Sequence, residues 1–216
     1  MTINWYGQSC FKIANQGNHL TVVTDPFDKS IGLNPPRGNA DIITVSHSHY
    51  DHNNISTITG EPFIIEGAGE YEIKGISVTG VRGFHDEKKG QERGQNIIYL
   101  IKIDGIRMCH LGDLGQKSLS SSQLEAIGKV DILMIPIGGV YTIDAHTASK
   151  ITKQIEPNVI IPMHYKIKKL KADMDIEGVD GFLKEMGLDK KSPIEKLVIS
   201  KKDLSNKEME VVVMGV

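Results

Sequence analysis

Apolar residues in the first half of the chain come in short blocks rather than at helical spacing. The runs 10–14, 20–24, 42–45, 62–65, 76–81, 97–103 and 106–110 are each bounded by Gly, Asn, Asp or Pro. Blocks of that length, rich in β-branched residues and cut by turn formers, predict strands of a meander. Asn15-Gln16-Gly17-Asn18 and Asp104-Gly105 leave few residues between neighbouring blocks, as hairpins require. After residue 115 the pattern changes. The spacing predicts a helix over 120–127, opened by Ser121 or Ser122 with Glu125, and another over 144–155, with Asp144 as N-cap and Pro157 beyond its end. Short apolar runs at 131–135 and 159–161 alternate with them as strands, and 196–200 with 210–214 are expected to close the chain as a hairpin around Ser205-Asn206. Strands with helices entering between them predict a layered α/β architecture, with sheets packed together and helices outside.

No linker or low-complexity tract interrupts this pattern. With 216 residues, 39% of them hydrophobic, one globular domain over 1–216 is expected. A formal charge of -2 offers no general attraction for phosphate backbones or anionic membranes, which argues against nucleic acid as the default partner. No stretch approaches the roughly 18 apolar residues of a membrane span, and the N-terminus lacks a basic segment followed by an apolar one, so a cytoplasmic protein is expected. The two cysteines, Cys10 and Cys109, are too few for a disulfide framework and are expected as buried thiols.

The densest chemistry lies in His47-Ser48-His49-Tyr50-Asp51-His52, directly after the strand-like stretch 41–46. Three imidazoles and a carboxylate this close suit a metal, and shuffled sequences of this composition would give the spacing in roughly one chain in a thousand. In an extended stretch side chains alternate, so His47 and His49 point the same way and can share one ion. Tyr50, Asp51 and Asn53 suit the opening of a helix, which would turn Asp51 and His52 towards a second ion. Two ions need further ligands at other strand ends, where His85, Asp113 and His164 each meet a loop.

Together with these, Thr24-Asp25-Pro26, Gly83-Phe84-His85, His110-Leu111-Gly112-Asp113, Pro136-Ile137-Gly138-Gly139 and Pro162-Met163-His164-Tyr165 occur in an order that resembles the metallo-β-lactamase superfamily. The nearest subgroup is its small, single-domain, lactonase-like metal-dependent hydrolases. The resemblance implies a four-layer αβ/βα sandwich. It also implies two divalent metal ions, Zn first with Mn, Fe or Ni as alternatives. His47, His49 and His85 would bind one ion and Asp51, His52 and His164 the other, with Asp113 bridging them and a water or hydroxide held between. Asp51 has a second role open to it, because a carboxylate near the nucleophile can move a proton. Flavodiiron reductases of that superfamily usually carry Glu at the position of His49 and add a flavin domain, and sulfur dioxygenases lack the second ligand set, so the resemblance favours hydrolysis over redox chemistry.

The expected activity is a dinuclear metal-dependent hydrolase opening a lactone, ester or phosphodiester in a small molecule, one that carries negative charge. The alternatives are a ribonuclease or phosphodiesterase acting on nucleic acid, and a metal-bound binding module without catalysis. Around the ligands, His110 is expected to donate to a ligand carboxylate, and Asp25 either to orient a ligand histidine or to form a turn with Pro26. Tyr141 and Tyr165 are expected as substrate contacts. The charged segment 86–95 is expected to overhang the rim as a lid or to form a solvated tip. Lys166, Lys168, Lys169 and Lys171 would receive an acidic substrate group or form a wet face. His19 and His146 are left out of the site. The oligomeric state stays open, Trp5 and Tyr6 serving an interface or anchoring the first strand.

Overall fold

Ile3 and Trp5 are buried while Thr2, Asn4 and Tyr6 are half-buried, so the chain opens as a strand of period two, β1 (Thr2–Gly7). The computed structural model describes residues 1–17, 19–171 and 174–216. β2 (Cys10–Ala14), β3 (Thr21–Thr24), β4 (Gly38–Asn39), β5 (Ile42–Thr44), β6 (Ile58–Thr59) and β7 (Phe63–Ile65) follow. Next come β8 (Gly69–Ile73), β9 (Ile76–Phe84), β10 (Gln95–Ile103) and β11 (Ile106–His110), an antiparallel meander. The alternating part consists of α1 (Ser121–Ile127), β12 (Ile132–Pro136), α2 (Ala145–Ile155), β13 (Val159–Met163) and α3 (Val179–Glu185). β14 (Leu197–Val198), α4 (Lys201–Leu204) and β15 (Glu210–Val211) complete the described elements.

Two sheets face each other. One has the order β14-β1-β2-β3-β5-β7 and the other β15-β13-β12-β11-β10-β9-β8, while β4 and β6 pair separately. Between the sheets, Ile3, Trp5, Phe11, Ile13 and Val22 of the first meet Tyr99, Ile101 and Met108 of the second in one continuous buried cluster. The Tyr99 hydroxyl lies 2.9 Å from the carbonyl oxygens of both Val45 and Ile65, fixing the spacing of the sheets at that point. β12 and β13 are buried along their whole length, as expected for parallel strands covered on both faces.

The architecture is the expected layered α/β sandwich, with an asymmetry the sequence did not indicate. α1 contacts β9, α2 contacts β12, and α3 packs on α2, which puts the helical layer on the second sheet. The outer face of the first sheet, bearing Cys10, Val23 and Ile43, is covered by Phe27, Ile31, Leu33, Leu170, Met174 and Ile176. These come from loops and the 3-10 turn Lys29–Ile31 rather than from an α-helix.

Three expectations change. The terminal hairpin does not form: β14 pairs with β1 in one sheet, β15 pairs in parallel with β13 in the other, and α4 lies between them. Each short strand finds more partner surface at a sheet edge than a two-residue strand offers its twin. After the histidine cluster the chain makes a turn, closed by His52 N donating to His49 O at 2.9 Å, followed by the 3-10 segment Ile55–Thr57 instead of an α-helix. The first sheet is also only partly a meander, since β3, β5 and β7 are parallel. The Asp104-Gly105 hairpin forms as expected, with φ of 53° and 74° at its two central residues. Asn15 and Leu20 close the β2–β3 connection; Asn18 of the expected turn lies outside the described residues. Cys10 and Cys109 are both free and buried.

Candidate metal centre

Strand direction gathers the site. β1 and β3 run the same way, being neighbours of β2 on opposite sides, and β3 and β5 are parallel. By the same reasoning β9, β11, β12 and β13 share one direction. The C-terminal ends of these strands carry Gln8 after β1, Asp25 after β3, His47 to His52 beyond β5, His85 after β9, Asp113 beyond β11 and His164 after β13. Polar bonds join the two sheets along this rim: Ile97 N donates to Ser46 O at 2.9 Å and His164 N to Gln8 O at 3.1 Å. Gln8, Asp25 and His164 have φ of 48°, 40° and 50°, a left-handed conformation that non-glycine residues hold only when their surroundings enforce it.

All seven expected ligand residues converge here. Ligand atoms of His47, His49 and His85 lie within 4.8 Å of one another, as do those of Asp51, His52 and His164, and a third such group of His47, His52 and Asp113 links the two. His47 Nε2 lies 3.1 Å from His49 Nδ1. Asp113 Oδ2 is central: His52 Nε2 and His164 Nε2 are both 3.2 Å from it, and His85 Nε2 is 3.5 Å away.

Behind these atoms, hydrogen bonds fix which nitrogen of His47 and of His52 faces the centre. Asp25, fully buried, receives His52 Nδ1 at 3.1 Å, Ser46 N at 2.7 Å and the Ser46 hydroxyl at 2.6 Å. The same hydroxyl lies 2.9 Å from His47 Nδ1. Because Ser46 Oγ gives its hydrogen to Asp25, it accepts from His47, so one carboxylate orients two imidazoles with both Nε2 atoms turned inward. Asp25 therefore bonds His52 directly and His47 through Ser46, rather than merely making a turn. His110 does not donate to a ligand carboxylate. Its Nε2 donates to Ser9 O at 2.7 Å, because strand alternation points the ring towards Phe11 and the β1–β2 turn. The consequence reaches the site indirectly, since the Ser9 hydroxyl donates to Asp113 Oδ1 at 3.0 Å.

Four site residues lay outside the sequence reading. Ser9 and Ser46 hold the carboxylates just described. Asn96, buried at the start of β10, accepts from Asp113 N and donates to Leu111 O, both at 2.9 Å. The Gln8 amide, 1% exposed, places Nε2 3.3 Å from Asp51 Oδ2 and 3.2 Å from His164 Nε2. Of these only Asn96 carried a signal, as a polar residue at the head of an apolar run. The others are ordinary turn residues in sequence.

The electrostatics suit a cation. Burial opposes the charge of Asp113, but His164 and His52 hold its carboxyl well below the usual range; Asp51 is likewise depressed by His52 against its burial. His47 is driven down to about 3, by burial first and by His52 second, and burial also lowers His85. His52 shows the reverse: burial would lower it, yet Asp113 and Asp51 raise it well above 6.5. Two ionised carboxylates thus meet five imidazoles, and no Lys or Arg belongs to the three groups. The His52 Nε2 is buried without a hydrogen-bond partner among the described residues. Nitrogen and oxygen donors with inward lone pairs fit divalent transition ions.

A cavity of about 340 Å³ opens over the centre, with His49, Asp51, His85, Asp113 and His164 at its base and Tyr50, Arg93, Tyr141 and Met174 around it. Tyr141 stands where a substrate contact was expected. Tyr165 does not: it is 4% exposed, stacks on Trp5 at 5.0 Å and donates to Met214 O at 3.1 Å. The positive φ of His164 turns the next side chain into the core, and Trp5 is thereby a core residue too. Lys166, Lys168, Lys169 and Lys171 are exposed and none lines the cavity. Gly138 lies against the His164 carbonyl so closely that a Cβ would collide with it, which ties this glycine to the His164 turn.

The sequence pattern of the Beta-lactamase superfamily domain family matches residues 2–164. A UPF0173 metal-dependent hydrolase of Thermoplasma volcanium is 33% identical over 206 residues, spanning 79% of this chain and 86% of its own. Another, of Archaeoglobus fulgidus, is 28% identical over 221 residues, spanning 88% and 93%. The crystal structure of a candidate Zn-dependent hydrolase of the metallo-beta-lactamase superfamily from Thermotoga maritima aligns with a TM-score of 0.80 at 38% identity, covering 99% of this chain and 97% of that one. Fold, site and sequence agree that the chain belongs to the metallo-beta-lactamase superfamily and, within it, to the UPF0173 metal-dependent hydrolases.

Proposed function

We propose that the chain is a dinuclear metal-dependent hydrolase that opens a lactone, ester or phosphodiester bond in a small molecule, with Zn as the first candidate ion. The observation that carries this reading is the linked grouping of seven donors around Asp113 at the floor of one cavity. In this reading His47, His49 and His85 hold one ion, Asp51, His52 and His164 the other, and Asp113 serves both. Ions bound there would lower the pKa of a water and polarise the attacked oxygen.

The chain's own residues do the rest. Asp25 and Ser46 keep the Nε2 atoms of His47 and His52 turned inward. Ser9 and Asn96 fix Asp113 through its carboxylate and its backbone N–H. Asp51 faces the cavity, and its place there would let it pass a proton from the nucleophile to the departing oxygen. Tyr50 and Tyr141 supply apolar walls, and the cavity volume fits a small molecule. The free, buried thiols of Cys10 and Cys109 agree with a reducing, cytoplasmic setting.

Metal content per chain, by mass spectrometry, together with turnover of a lactone, ester and phosphodiester panel, tests the proposal. Two equivalents in the wild type, partial loss in Asp113→Ala and turnover of at least one bond class are expected. One equivalent or none after reconstitution, or inertness with both ions bound, would overturn it.

A further inference from the structure

Arg93 stands at a junction. A second cavity, of about 420 Å³, adjoins the one over the candidate metal centre, and His85, Arg93 and Tyr141 line both. The segment bearing Arg93 is built rather than loose. The Asp86 carboxylate, 5% exposed, accepts backbone N–H groups from Lys88 at 2.8 Å, Gly90 at 2.9 Å, Glu92 at 3.0 Å and Arg93 at 2.8 Å. Four donors on one carboxylate wrap residues 86–93 into a fixed loop, which favours a fixed wall over a swinging lid.

The exposed Arg93 side chain is placed by two contacts with Tyr141. Its Nη1 donates to Tyr141 O at 3.2 Å, and its guanidinium carbon lies 5.5 Å from the centre of the Tyr141 ring. That single bond leaves four of the five guanidinium N–H groups for other partners. Two neighbouring cations are paired, Lys88 with Glu92 at 2.5 Å and Lys117 with Glu87 at 2.7 Å, while Lys89 of the same loop is exposed and lines neither of these two cavities. Arg93, by contrast, has no carboxylate within 4.0 Å among the described residues, and it is the only Lys or Arg lining the cavity over the centre. The carboxylates lining that cavity are Asp51 and Asp113, both committed to the proposed ions.

From this we infer that Arg93 is the anion-recognition residue of the site. The substrate carries a terminal oxyanion, a carboxylate or a phosphate, separate from the bond that is cleaved. Its charge docks on the guanidinium fork at the junction of the two cavities, and its reacting group lies over the seven-donor floor. The planar fork matches either oxyanion, whereas a lysine would offer only a point charge. This assignment rests on the hydrolase reading for its geometry, since the oxyanion is placed relative to the proposed ions.

Calorimetric titration of the metal-loaded protein with benzoate and with phenylphosphonate, neither of which can be hydrolysed, separates the two claims. Arg93→Gln should weaken binding of one or both probes roughly ten- to a hundredfold with metal content unchanged, and Arg93→Lys should recover part of the loss. The probe with the larger loss identifies the oxyanion class. Equal affinity for both probes in wild type and Arg93→Gln would overturn the assignment. A parallel pair of ester substrates, one with a free carboxylate and one with that group as a neutral amide, should differ in kcat/KM by a factor that collapses in Arg93→Gln. Absence of turnover for both esters would count against the hydrolase reading alone, because the probe titrations decide the role of Arg93 without turnover.

Discussion

His52 Nδ1 lies 3.1 Å from Asp25 Oδ2 with both side chains fully buried, and this contact joins the end of β3 to the turn that follows β5. Ser46 extends it to His47, so a residue outside the seven donors controls one imidazole in each proposed ligand set. Burial opposes the charge of Asp25, but the bond from His52 and the fields of His110 and His52 lower its pKa, leaving it an anionic acceptor at neutral pH.

Asp25→Asn should therefore weaken the binding of both ions. The amide oxygen cannot accept from Ser46 Oγ and His52 Nδ1 as the carboxylate does, and losses of this kind are about ten- to a hundredfold in metal affinity. Ser46→Ala should show a smaller loss, confined to the site containing His47. Chelator competition on both variants would check this; unchanged affinity in Asp25→Asn would refute the orienting role.

The metal-free protein should lose stability as pH rises from about 6.5 upward through the folded-state pKa of His52. His52, raised above 6.5 in the folded state by Asp113 and Asp51 against its burial, keeps a proton that the unfolded chain has already released. Its contribution is whole below about pH 6.5 and fades as pH climbs through the folded value, by at most about 1.4 kcal/mol per pH unit for one proton. His47, His85 and His110 are lowered, so they act below that window and with the opposite sign. A bound ion replaces the His52 proton, so metal-loaded protein should show a flatter slope. Urea melts of both forms at a series of pH values from 6.5 upward would test it, and equal slopes in the two forms would refute it.

Gly112→Ala should destabilise the protein by about 2 kcal/mol or more. Gly112 has φ of 55°, and a Cβ there would collide with Asn96 Oδ1, which holds Asp113 N, and with Ser46. The variant should also bind less metal, as the same clash displaces two residues that position the centre. A normal urea midpoint would show that the turn has more room than the structure indicates.

The two tyrosines expected at the substrate should separate cleanly. Tyr165→Phe removes a buried bond to Met214 O and should cost about 1 kcal/mol of stability with KM unchanged. Tyr141→Ala should leave stability nearly intact, because the ring is 38% exposed, and should raise KM about two- to fivefold through loss of the ring beneath Arg93. The reverse pattern would mean that the cavity wall is drawn wrongly.

The chemistry of this protein was legible in residue types and spacing. His47, His49, Asp51 and His52 are neighbours in the chain, and His85, Asp113 and His164 each end an apolar run, so strand alternation and turn signals suffice to suspect a shared rim. β2, β11, α1 and α2 were predictable for the same reason, because local periodicity dictates each of them. What tertiary structure alone decided lies in contacts between distant segments. Nothing near Gln8 or Ser9 in sequence announces that β1 runs parallel to β3 and delivers that turn to Asp51 and Asp113. His110 and Tyr165 sit beside ligand residues in sequence yet point away from them, because neighbouring side chains in extended backbone diverge and φ of 50° at His164 redirects the chain. β14 and β15 are too short to specify a partner, and their pairing is set by which sheet edge lies open. Local pattern fixes what a segment is and which groups it offers; strand direction and burial, summed over the whole fold, fix what those groups meet.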